Sequence, residues 1–393
     1  MNKSISNCPV VLQTGFRIFF LGAAFYAVLG MAFWYLFYVA GGNIFVGMPL
    51  TVWHGHEMIF GFTMAVVAGF LLTAVMNWTG LPTISGAPLL FLFLVWCMAR
   101  IFAFMPSSFS LWPAATCNIL FIAFLTVAIM KPIIAVKQWK QSAVFSKLIL
   151  ILGSGIAFYI YLAQADLIAE RKALRFAVYM IISLIFTIGR RVMPFFIERG
   201  VGYSVTLRNS KVLDMISLVC LVSFSLLDVL WPQPLVIKTL SAVLFIVHIL
   251  RLSGWYTPGI WKKPLLWILF VGYVFLILGF LLKIIAVVGH HPDDAALHAW
   301  TAGGIGIFTL GMMARVSWGH TGRNVGEPPR RIVAMFIAII VSAISRVFLP
   351  IIYEPYYIMW IAISQLFWMS AFGLYLVIYF NVLTSVRPDR KWG

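Results

Sequence analysis

Charge is what this sequence has least of: Asp, Glu, Lys and Arg together make up 10% of its 393 residues, and only 11 of those residues are acidic. Ordinary soluble domains carry about a quarter charged residues. With 63% hydrophobic residues and a mean hydropathy of +1.01, a water-soluble globular protein is excluded. Cysteine is also sparse. Cys8, Cys97, Cys117 and Cys220 form no C-x-x-C pair and no C-x-x-C-H string, so neither a disulfide framework nor covalently attached haem is supported. The chain lacks a Walker-type phosphate loop, a G-x-G-x-x-G turn and a G-x-S-x-G elbow, so ATP-driven or nicotinamide chemistry is not indicated. No low-complexity segment or obvious internal repeat is visible, although a diverged repeat of two six-helix halves would escape inspection, which keeps a transporter open.

What is present is a succession of apolar runs. Read between charges and Pro/Gly breaks, they predict helices near 16–40, 52–76, 87–105, 111–130, 144–165, 174–189, 211–230, 235–252, 265–288, 296–318, 331–350 and 356–384. At roughly 20 to 25 residues per span, twelve helices use almost the whole chain. The expectation is an all-α polytopic membrane protein, residues 1–393 forming a single transmembrane domain. The short basic N-terminus runs into an apolar stretch, Phe16 to Ala40, that is too long for the core of a cleaved signal and reads as a signal anchor.

The net charge of +17 suggests nucleic acid in a soluble protein; in a polytopic one it marks cytoplasmic loops. Arg100, Arg171, Lys172, Arg175, Lys238, Lys283 and Arg346 fall in the outer half when the N-terminus is inside, and the other 21 of the 28 basic residues, Lys3 and Lys391 among them, fall inside. Both termini are therefore expected in the cytoplasm. This orientation puts His54, His56, His290, His291 and His298 on the outer side, and His248 and His320 on the inner side.

Ionisable groups in a bilayer are costly and usually face a cavity, a partner or a metal, so the histidines carry the chemical signal. His54 and His56 lie about 200° apart on a regular helix and cannot share one ion without unwinding it. The face of His54 continues through Met58, Gly61, Ala65 and Ala68, a lane where a flat macrocycle could lie, or where Gly61, Ala65 and Gly69 simply serve helix packing. His298 and His320 are separated by about 33 Å of helix and about 40° of rotation. One helix could thus serve an outer site with His54 or His56 and an inner site with His248. Met312 and Met313 near the inner end are soft donors or packing. His290 and His291, in Gly289-His290-His291-Pro292, read as solvated loop residues. Arg190, Arg191 and Arg315 are placed to bind haem propionates or to anchor the inner side; Arg100, Lys283 and Arg346 are placed to neutralise propionates of an outer haem or to snorkel.

The strings Trp53-His54-Gly55-His56-Glu57-Met58 and Gly189-Arg190-Arg191-Val192-Met193-Pro194-Phe195-Phe196 resemble the NnrS family, and so does Leu297-His298-Ala299-Trp300-Thr301-Ala302-Gly303-Gly304. That last string runs on through Thr309-Leu310-Gly311-Met312-Met313-Ala314-Arg315-Val316-Ser317 to Gly319-His320-Thr321-Gly322-Arg323. The resemblance covers essentially the whole chain. It implies a protein of the bacterial inner membrane that holds copper and a non-covalent, b-type haem and is associated with denitrification and nitric-oxide stress. It further implies metal-associated positions at His54, His56, His298 and His320, with His248 a further addition. Nitric oxide would be the small-molecule ligand, lipid the surroundings, and a quinol or another donor the source of electrons; no nucleic acid is involved. Haem-dependent redox activity on nitric oxide is one form the function could take.

A looser resemblance links the chain to haem-copper oxidases and nitric-oxide reductases, which also have twelve helices with histidines on the second and tenth. The copper-site histidines of helices six and seven are missing here, so turnover of nitric oxide is not inherited by analogy. Two other functions compete. One is a twelve-helix secondary transporter with a histidine proton relay; the other is an assembly factor that passes haem or copper to a partner.

Overall fold

The computed structural model describes residues 8–42, 48–105, 107–289, 293–390 and 392. Lys3, His290, His291 and Lys391 lie outside the described residues. Twelve long helices follow one another: α1 (Gly15–Tyr38), α2 (Leu50–Thr79), α3 (Ala87–Ala103), α4 (Ser107–Ala135), α5 (Ser142–Ala163) and α6 (Leu167–Gly200). Then come α7 (Lys211–Leu230), α8 (Pro234–Gly254), α9 (Pro264–Gly289), α10 (294–320), α11 (Ile332–Val347) and α12 (Tyr357–Thr384). No strand occurs among the described residues. Ten of these helical stretches are long and apolar enough to cross a membrane, and α3 is apolar but only 17 residues long. The chain is a multi-pass, all-α membrane protein.

Local chemistry explains the ends. Gly80, at φ +70°, closes α2 in the left-handed conformation that glycine adopts without a side-chain clash. The Ser210 hydroxyl accepts the Leu213 N–H at 3.3 Å and caps α7. Pro234 begins α8, where the missing N–H costs nothing. The largest departure from expectation is α6, predicted over 174–189 and observed over 34 residues. Charges at 170–175 and 190–199 end an apolar run but favour a helix as readily as apolar residues do, so the helix extends at both ends.

The contacts cluster in two compact units: Met1–Ala177 with Met313–Asn324 and Phe372–Gly393, and Val178–Met312 with Val325–Ala371. In the first unit α1 packs against α2 over small residues. A Cβ at Gly69 would meet the Phe20 ring at 2.8 Å, and one at Gly15 would meet Leu72 at 2.6 Å. In the second, α9 and α10 approach most closely at Gly272, where a Cβ would lie 2.9 Å from the Phe308 backbone nitrogen. Without a hydrophobic driving force between helices in lipid, such close backbone contact is what holds spans together. Gly303 and Gly304 press on Phe275 and Leu276 in the same seam, so the glycines beyond His298 serve packing.

Candidate functional site

Two spans leave regular α-helix just where the histidines sit. In α2 the segment Glu57–Thr63 is π-helical and follows directly on His56; in α10 the segment Ala299–Ile305 is π-helical and follows directly on His298. A π segment bonds i to i+5, inserts an extra residue into the turn and is frequent at functional sites. Gly61 lies four residues after Glu57 on the same face, and that face is occupied: a Cβ there would lie 2.5 Å from an Arg100 amino nitrogen, 2.6 Å from the Tyr26 ring and 3.1 Å from Glu57. The expected lane for a macrocycle is filled at this point by a guanidinium.

Around that glycine the first unit builds a closed polar ring from five helices. Glu57 is fully buried and accepts from the Tyr26 hydroxyl of α1. Arg100 of α3 pairs with that same carboxylate oxygen at 3.3 Å, and the other carboxylate oxygen lies 2.7 Å from His56 Nδ1. Arg100 also donates to the Asn118 carbonyl oxygen on α4. The Asn118 amide nitrogen donates to the Tyr159 hydroxyl of α5 at 2.6 Å, and that hydroxyl lies 2.9 Å from His56 Nε2.

The direction of every bond follows from Arg100, which carries donors only. Asn118 must turn its oxygen to the guanidinium, which leaves its NH₂ facing Tyr159. Tyr159 then donates its own proton to His56 Nε2, and the remaining ring proton, on Nδ1, goes to Glu57. His56 therefore has both nitrogens engaged. It is a link in a hydrogen-bond circuit, with no lone pair left for a metal.

The second unit repeats the device with other residues. Asp214 of α7 accepts from Arg190 of α6 at 2.6 Å and from Arg251 of α8 at 2.8 Å. His248 is buried beside them. Its Nδ1 lies 2.7 Å from the Tyr273 hydroxyl of α9 and 3.4 Å from an Arg251 amino nitrogen, and its Nε2 lies 3.1 Å from the Ser217 hydroxyl. Facing a guanidinium, Nδ1 can only accept, so the ring proton sits on Nε2 and goes to Ser217. Phe186 stacks on the imidazole at 3.8 Å between centroids. His248 is thus also fully occupied, and Arg190, half-buried, is paired with Asp214 through one of its amino nitrogens.

A third buried charge group ties down the start of α10. Lys283 of α9 pairs with Asp228 of α7 and with Asp293, both at 2.8 Å, and Asp228 also accepts from the Tyr179 hydroxyl of α6. Lys283 and Arg100, both read as outer cations for propionates, are thus ion-paired within the protein, and Arg346 lies over the Tyr357 ring at 5.9 Å. Lys283→Met should destabilise the protein by about 3–5 kcal/mol, because it strands the buried Asp228 carboxylate. The check is thermal unfolding of the purified protein in detergent; an unchanged midpoint would contradict the pairing.

The remaining histidines stand differently. His54 is half-buried and lies flat on Trp34, with centroids 4.4 Å apart and planes 11° from parallel; Trp34 in turn stacks on Tyr38 at 4.5 Å. His298 is half-buried with Nδ1 2.7 Å from the carbonyl oxygen of Asp294, one turn earlier. Metal-ligating histidines commonly tie one nitrogen to a carbonyl in this way, which sets the tautomer and leaves Nε2 as the donor. His320 is half-buried, with Phe16 at 5.9 Å, and its backbone carbonyl accepts from Arg387 at 2.8 Å. Hydrogen bonding to Asp389 holds the Arg387 guanidinium above its ordinary pKa. Arg191 is half-buried, while Arg315, Met312 and Met313 are buried. Among the described residues no three His, Cys, Asp or Glu side chains come together as a metal-binding group.

The reading by histidine missed Tyr26, Asn118, Tyr159, Asp214, Ser217 and Tyr273. One signal for part of this set was available: acids are scarce, and Glu57, Asp214 and Asp228 fall inside or at the edge of apolar runs, where a carboxylate needs a partner. No curated protein matches the chain. The NnrS protein family model matches residues 10–387, nearly the full length, and the chain belongs to the NnrS family.

Proposed function

We propose that this protein is a haem- and copper-binding protein of the bacterial inner membrane that protects against nitric oxide, by binding it, reducing it or removing it from iron complexes. The observation that carries this reading is membership of the NnrS family over residues 10–387. The residues that would hold haem iron are His54, His298 and His320. His298 has the Nδ1-to-carbonyl bond that ligating imidazoles use, and Trp34 fixes the ring plane of His54. His56 and His248 are withdrawn from the ligand set, since their nitrogens are taken by protein partners. A bound haem would supply an iron able to bind nitric oxide. The described residues assemble no group of three or more metal-binding side chains, so copper rests on the family resemblance alone.

The chain's own contribution is electrostatic. Arg100 balances the buried Glu57 charge, so α2 carries a carboxylate three residues from His54 without a net buried charge. A second reading, a secondary transporter, is favoured by one observation: each compact unit holds an Arg-carboxylate pair, buried in the first and half-buried in the second, linked to a histidine and a tyrosine, as proton-handling membrane proteins do.

The test is an optical spectrum of anaerobic, detergent-purified protein, oxidised and reduced, with and without nitric oxide, together with iron and copper analysis of the same sample. The expected result is haem absorbance that shifts on adding nitric oxide, at defined metal content. A colourless, metal-free but well-folded protein overturns this reading in favour of the transporter.

A further inference from the structure

The second unit carries an apolar groove of about 460 Å³ along the seam of α8 and α9. Its walls are two helix faces. Phe245, Ile249 and Ser253 of α8 lie on one side, with Tyr256 just beyond the helix end, and Phe270, Val274 and Leu281 of α9 lie on the other. The α9 face covers an eleven-residue rise, which at 1.5 Å per residue is about 16 Å. One leaflet of a hydrocarbon core about 30 Å thick is about 15 Å deep. The groove thus has the length of a single acyl chain running parallel to the helices, and it opens outward from the seam.

One end is chemically distinct. Tyr256 and Trp261 are both about half exposed, and both rings stand against Phe270, at 6.0 and 5.9 Å. Such amphipathic rings mark the level of lipid headgroups. Lys262 is exposed beside Trp261, and Arg208 is exposed where its backbone N–H donates to the Gly254 carbonyl at the end of α8. Of the acids nearby, Asp214 is neutralised by Arg190 and Arg251, and Glu198 accepts the Leu207 N–H at 3.0 Å. The mouth is therefore aromatic and basic, and the opposite end is wholly apolar.

We propose that this groove binds an anionic phospholipid, with one acyl chain along the α8 and α9 faces and the headgroup held at Trp261, Lys262 and Arg208. The match of groove length to one leaflet selects a chain, and the basic mouth selects the charge of the headgroup. The site does not depend on the haem reading.

Native mass spectrometry of the full chain released from detergent tests it. The delipidated protein is offered equal amounts of phosphatidylglycerol and phosphatidylcholine. One phosphatidylglycerol adduct should persist, with a preference on the order of tenfold from two interfacial cations. Val274→Trp, which fills the groove, should abolish the adduct. The pair Lys262→Glu and Arg208→Glu, at exposed positions that leave the fold intact, should erase the headgroup preference while retaining lipid binding. Equal retention in the well-folded Val274→Trp variant overturns the proposal, as does equal binding of the two lipids by the unmodified protein. An isoprenoid quinone found in the groove of protein as purified from membranes also overturns it.

Discussion

Replacing Arg100 by leucine is expected to destabilise the protein by about 3–5 kcal/mol, the cost of leaving a buried carboxylate without its counter-charge. Arg100 is 4% exposed and Glu57 is fully buried, so water cannot take over the neutralisation. The loss is larger than the pair's own attraction, because Arg100 also orients the ring: without it, Asn118 has no donor to accept from, and the order of protons through Tyr159 and His56 is no longer imposed. The measurement is the unfolding midpoint of purified protein in detergent. Adding Glu57→Gln to Arg100→Leu should restore much of the loss, since glutamine carries no charge, its oxygen still accepts from His56 and its NH₂ can donate to the Tyr26 hydroxyl oxygen. A double variant as unstable as the single one would mean that Arg100 acts through packing and that the buried charge is not the dominant cost.

The second large effect separates the histidines by role. His298→Ala should abolish haem absorbance in purified protein, while the unfolding midpoint, compared between haem-free samples, falls less than for a fully buried histidine because the ring is half-buried. His56→Ala should do the reverse. It leaves the Tyr159 hydroxyl without its acceptor and removes a donor from Glu57, at about 1–3 kcal/mol for each unmet buried group, while haem content per folded molecule is retained. The pair is read together by absorbance per mole and by unfolding. Loss of haem in folded His56→Ala would return His56 to the ligand set; retained haem in His298→Ala would remove His298 from it.

Particular residues show how far the sequence could be read. The expected helix over 356–384 is found as Tyr357–Thr384, because a long apolar run bounded by Pro355 and by polar residues has little other option in a bilayer. The expected face of His54 does include Glu57 and Gly61, four residues apart, but Arg100 from another helix fills the space against both, and nothing in the string Glu57-Met58-Ile59-Phe60-Gly61 announces that guanidinium or the π segment that begins there. Arg100 and Lys283 were legible as anomalies, being basic residues that the charge distribution assigns to the minority side. Their partners were not, since a snorkelling cation and an ion-paired cation have the same local sequence.

By itself the sequence determined that this protein is a helical membrane protein with about twelve long helices and that it has the motifs of its family. A bilayer leaves the backbone no other way to satisfy its hydrogen bonds, so hydropathy translates directly into helices. Only the tertiary structure decided which groups close on each histidine. His56 and His248 are the same chemical group as His298, and what distinguishes them is whether Tyr159, Glu57, Tyr273 and Ser217, brought from other positions in the chain, close on both ring nitrogens. Hydrogen-bond satisfaction acts through space over about 3 Å; the partners are set by packing, and spacing along the chain carries no record of them.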